Sequence, residues 1–199
     1  MRLGRKIICT LTLGLGIGQA ESAASLAVLV YNYANVPGAK LREAEVYAAR
    51  SYHAAGIELI WVECATFSES DTGLCRAFEQ ATEGGGLFLK IIPERTVAGV
   101  RLSRKTEDAL GIALESSAFV LYPRVREMAR VWGVPEYLIL GHTMAHELGH
   151  LLLGPNSHAE SGLMRPRFGW RDLTLATGQF LFDPQQAKQL PTSLFSRQR

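Results

Sequence analysis

The stretch from Pro135 to Gly154 constrains the fold of this chain more than any other. After Tyr137 it is apolar except for His142, Thr143, His146, Glu147 and His150, and it closes on Gly154-Pro155. Proline suits the start of a helix and glycine its end, so one helix is predicted to run from near Pro135 through Leu153. Met144-Ala145 on one side of the polar group and Leu151 to Leu153 on the other are apolar, as a helix crossing a core requires.

On such a helix His146 and His150, four residues apart, lie on one face, and both imidazoles can reach one ion at the zinc distance of about 2.0–2.1 Å. Glu147 sits on the flank, where a carboxylate can serve as general base and acid rather than as ligand. Three polar residues on a solvated helix face are the plainer alternative, and the apolar flanks speak against it. A catalytic zinc takes three protein ligands and keeps one position open. His158, Glu160 and Asp172 are the candidates for the third. Gly154 lets the chain turn back and Pro155-Asn156-Ser157 is turn chemistry, which favours His158. His142, one turn before His146, lies too far from the ion and is read as structural. His53 is read as an ordinary helix residue.

His146-Glu-x-x-His150, a following glycine, a third histidine and Ser161-Gly-Leu-Met164-Arg-Pro166 resemble the metzincin zinc peptidases, whose signature is HExxHxxGxxH followed by a methionine turn. Here Gly154 comes one residue later than that spacing and His158 two residues later. The Ala-Gly-Ile and Trp-Val-Glu-Cys segments, with Leu-Leu-Leu-Gly-Pro-Asn-Ser-His and Gly-Leu-Met, are also similar to a group of predicted exported bacterial zinc peptidases. The resemblance implies one catalytic Zn2+ held by His146, His150 and His158, with peptide bonds hydrolysed by zinc-activated water and Glu147 as base. It makes Met164 the methionine-turn residue, an apolar floor under the imidazoles. It also implies an antiparallel edge strand that binds substrate backbone by strand addition, with Gly111, Ile112 and Ala113 as its residues here. The tyrosine that some metzincins carry two residues after the methionine is replaced by Pro166.

The elements read from the rest of the chain predict an α/β fold, and the resemblance implies that it is of metzincin type: a mixed twisted sheet with a backing helix, the active-site helix, a methionine turn and a C-terminal helix. Leu26 to Tyr33 reads as a strand and Leu41 to Ala55 as an amphipathic helix closed by Gly56. Ile57 to Val62 then gives a second strand, and the order implies a right-handed parallel crossover. Leu87 to Ile92 is a third strand. Leu110 to Leu114 and Ala118 to Tyr122 are short strands, the second stopped by Pro123. Val125 to Trp132 is helical in spacing. Glu63 to Gly86 and Glu94 to Asp108 read as loops, and Trp170 to Ala176 as a short helical turn. Asp183-Pro184-Gln185-Gln186 opens a last helix, with Asp as cap, Pro first and Gln third.

Residues 1–24 differ in character. Arg2, Arg5 and Lys6 precede the apolar run Ile7 to Ile17, and Gly18-Gln19-Ala20 or Ser22-Ala23-Ala24 supplies a small-x-small cleavage site. This predicts a cleavable export signal, too short to span a bilayer, that leaves residues 25–199 as one domain in a secreted or periplasmic setting. With so little chain before the first strand, no inhibitory propeptide is expected. Cys9 is lost with the signal, so Cys64 and Cys75 are expected to pair in an oxidising compartment. The net charge of +2 includes three positive signal residues, so the domain is near neutral and nothing suggests nucleic acid. The expected partner is a peptide or protein substrate, taken by a monomer. The rival readings are a zinc hydrolase acting on a non-protein amide and a catalytically silent zinc-binding module.

Overall fold

Strand β1, Ala24–Asn32, carries apolar residues on both faces, so it suits the middle of a sheet rather than an edge. In the computed structural model, which describes residues 24–64, 75, 86–93, 109–170, 173 and 181–197, it has a parallel neighbour on each side. These are β2, Ile57–Cys64, and β3, Leu87–Ile92. β5, Ser117–Leu121, continues the parallel order beside β3, and β4, Gly111–Leu114, pairs antiparallel to β5 at the margin. The sheet therefore runs β2-β1-β3-β5-β4, and the fold is the mixed α/β arrangement expected.

Period-two alternation sends Leu26, Val28, Val30, Ile57, Leu59, Leu87, Leu89, Ile91, Ala118 and Val120 into one core with the helices. Leu29 points the other way and meets Cys64 and Cys75, which are joined as a disulfide with a Cα–Cα distance of 5.9 Å. Helix α1, Gly38–His53, connects β1 to β2 and buries Leu41, Ala44, Ala48 and Tyr52. The turn before α1 is closed by Asn32, whose side chain bonds Val36 N and O, both at 2.9 Å. α2, Tyr122–Trp132, follows β5 directly; Pro123, expected to end the strand, sits in the first turn of this helix, where its missing N–H costs nothing.

α3, Glu136–Leu153, is buried along most of its length and crosses α1 closely. Gly141 makes that crossing possible, because a Cβ there would stand 2.5 Å from Ala44 O. The Tyr52 hydroxyl donates to Ala145 O at 2.9 Å, so the two helices are joined by a buried hydrogen bond as well as by packing. α4, Pro184–Arg197, closes the chain against α3. Several boundaries differ from expectation: α2 begins at Tyr122, three residues before Val125 and inside the segment read as a strand, and β2 runs on to Cys64. α1 ends at His53, and Gly56, at φ +78°, completes a turn after the helix instead of its cap. β1 begins at Ala24, the last residue assigned to the export signal; residues 1–23 lie outside the described residues, as do most of the two long loops and most of the Trp170 to Ala176 turn.

Candidate active site

α3 delivers His146 and His150 from one face, one turn apart, with their Nε2 atoms 3.1 Å from each other. The helix stops at Gly154, whose φ of 99° and ψ of 167° belong to a region that only glycine enters readily. The turn it makes brings His158 back, and His158 Nε2 stands 3.1 Å from His150 Nε2. One ring nitrogen from each of the three histidines lies within 4.8 Å of the others, so the three form a group positioned to hold one metal ion.

The hydrogen-bond partners fix the tautomers of the first two rings. His146 Nδ1 faces the carbonyl oxygen of Leu163 at 2.9 Å, which can only accept, so Nδ1 carries the proton and Nε2 the lone pair. The Ser157 hydroxyl donates to Gly154 O at 2.7 Å, which leaves it an acceptor for His150 Nδ1–H at 3.0 Å. Two lone pairs facing each other at 3.1 Å repel unless a cation lies between them, and nitrogens on a tetrahedral zinc are separated by about 3.3 Å. The donor set therefore fits zinc. Burial pushes His146 down to about 4 and His150 below the usual imidazole range, so both rings are neutral at pH 7, as ligands must be.

Glu147 is buried under the sheet margin, and burial alone raises its carboxyl to about 8. A cation beside it would favour the ionised form and oppose that rise. Its side chain occupies the space where Gly111 lacks a Cβ: such an atom would lie 2.5 Å from Glu147 Cγ and 2.7 Å from Phe119 O. Of the expected edge-strand residues, Gly111 thus touches the Glu147 side chain, while Ile112 and Ala113 follow it along β4 opposite Phe119 and Ala118. Met164 is fully buried and fills the gap left by Gly149, where a Cβ would meet its Sδ at 2.5 Å. The Met164 carbonyl accepts from Ala159 N at 2.9 Å, tying this turn to the loop of His158.

His142 lies outside the metal-binding group, buried with its ring centroid 3.9 Å from that of Phe168. Glu160 is exposed and not part of the group, and Asp172 is outside the described residues. Sequence reasoning missed the Ser157 hydroxyl, the Leu163 carbonyl and Gln186 of α4, which donates to Ser157 O at 2.7 Å. It treated Ser157 as turn chemistry and Gln186 as part of a helix cap. Gly149 lay inside the motif, but its reason is a neighbour fifteen residues downstream.

No protein-family model matches the sequence, and no curated protein matches it. Among solved structures, the chain is similar to the crystal structure of archaemetzincin from Methanopyrus kandleri, with 16% identity over 90% of this chain and 99% of that one and a TM-score of 0.48.

Proposed function

We propose that this chain is an exported zinc-dependent endopeptidase in which His146, His150 and His158 hold one zinc ion and Glu147 moves the proton. The observation that carries the reading is the convergence of three imidazoles, two with their lone pairs fixed inward, beside a buried carboxylate outside the ligand group. A zinc ion bound there supplies Lewis acidity to water and to a substrate carbonyl. Glu147, whose carboxyl burial raises to about 8 and a bound cation would bring back toward the ionised form, is suited to take a proton from the attacking water and return it to the leaving amine. β4 pairs on one side with β5, and among the described residues its other edge has no strand against it, so an extended peptide can add there next to Glu147.

Burying a carboxylate costs stability, and a zinc site with only a structural role would have no use for Glu147; this weighs against a silent zinc-binding module. A non-protein amide would not need the strand edge. Export is supported by the disulfide, and no described helix is long and apolar enough to cross a membrane. Because Ala24 already pairs with Ile57, cleavage after Ala20 leaves β1 whole, and we take it as the processing site that yields a single-domain monomer. The test of the activity is Glu147→Gln: retained zinc with lost peptide cleavage supports the reading, and cleavage equal to wild type refutes it.

A further inference from the structure

His146 and His150 are held twice over, by a buried helix and by a hydrogen bond on each Nδ1. His158 has neither. It stands exposed on the loop after Gly154, and among the described residues its only contact at hydrogen-bond distance is with His150. Its aim therefore depends on the backbone that carries it. The peptide bond leading into His158 has its carbonyl on Ser157, and that oxygen accepts from the side-chain amide of Gln186 at 2.7 Å.

Gln186 is itself rigidly placed. It lies in the first turn of α4, where Asp183 Oδ1 caps both Gln185 N at 2.8 Å and Gln186 N at 3.1 Å. At the third helical position, a capping-box glutamine would turn its side chain back to the cap residue. This one reaches across to another loop instead. Gln186 is buried, and its Oε1 has no hydrogen-bond partner among the described residues. One end of this buried amide is bonded to Ser157 O and the other is unpaired, so gain and cost largely offset and its net effect on folding is small.

We propose that Gln186 is the positioning residue for the third metal ligand: α4 acts as a strut whose amide locks the Ser157–His158 peptide and so offsets the long spacing between His150 and His158. The inference rests on the three-histidine centre proposed above and adds how that centre is kept in shape.

The test is a double-mutant cycle on the full chain, reading Zn2+ affinity by competition with a chromophoric chelator. Gln186→Leu is expected to weaken binding roughly 10- to 100-fold, the range found for groups that orient a ligand. The metal-free Gln186→Leu protein should melt within a few degrees of the wild-type temperature, which separates lost positioning from lost folding. On a His158→Ala background the same change should cause no further loss, since the amide acts through His158. Equal losses on both backgrounds, or none on the first, would overturn the strut. Wild-type affinity in His158→Ala alone would instead remove the three-histidine centre, and the inference with it.

Discussion

Gly111→Ala tests the packing between the sheet margin and Glu147. In an ordinary strand the change is favourable by about 0.4–1 kcal/mol, because alanine restricts the unfolded chain. Here the added Cβ would stand 2.5 Å from Glu147 Cγ, 2.9 Å from Glu147 Cδ and 2.7 Å from Phe119 O. The last is backbone in the paired strand and cannot turn away, so either β4 separates from β5 or the Glu147 side chain is displaced. Overpacking of this kind costs about 1–3 kcal/mol, leaving a net loss of about 1–2 kcal/mol. For a chain of this length that lowers the melting temperature by roughly 2–8 °C. A shift of about 1 Å in the carboxylate is enough to slow hydrolysis on the order of 100-fold. Zinc content should be unchanged, because Glu147 is not in the ligand group. Thermal melts, zinc analysis and peptide hydrolysis on the same preparation decide it. A variant as stable and as active as wild type would show that Gly111 and Glu147 are not packed as described.

Two further outcomes follow from the body of the fold. Glu45, buried on α1, has its carboxyl raised to about 7, first by burial and then by Glu63. The folded state thus holds this proton more tightly than the unfolded one, so the stability it contributes is complete below the ordinary carboxylate range and declines as pH rises through 7. Other buried groups titrate in the same window, so the comparison is between proteins: urea melts should show wild type losing on the order of 2 kcal/mol more than Glu45→Gln between pH 5 and pH 8. Paired Cys64→Ser and Cys75→Ser replacements open a loop of sequence separation 11 and should cost about 3 kcal/mol on the loop-entropy account, read as a lower urea midpoint with an intact zinc site.

Much of this was legible from the chain alone, and the reasons are local. Leu26 to Tyr33 and Leu87 to Ile92 declare themselves because interior parallel strands are largely apolar, and Ile57 to Val62, at the other margin of the sheet, because it is rich in β-branched and aromatic residues and follows Gly56. The margin strand at Gly111 was readable from its shortness and its glycine. His146, Glu147 and His150 were found because their relation is internal to one helix. What stayed hidden depends on neighbours distant in sequence. Gly141, Gly149 and Gly111 each mark the approach of Ala44, Met164 and Glu147, and nothing beside them in the chain says so. Gln186 was misread for the same cause: its position in α4 fits a cap, and only the folded chain brings Ser157 within its reach.

Zinc-edge X-ray absorption of the metal-loaded wild-type protein tests the central claim most directly, since it counts and identifies the atoms around the ion. Three imidazole nitrogens at about 2.0–2.1 Å with one light non-protein atom in the fourth position is the predicted spectrum. Two imidazoles with a carboxylate, or any sulfur at about 2.3 Å, would contradict it.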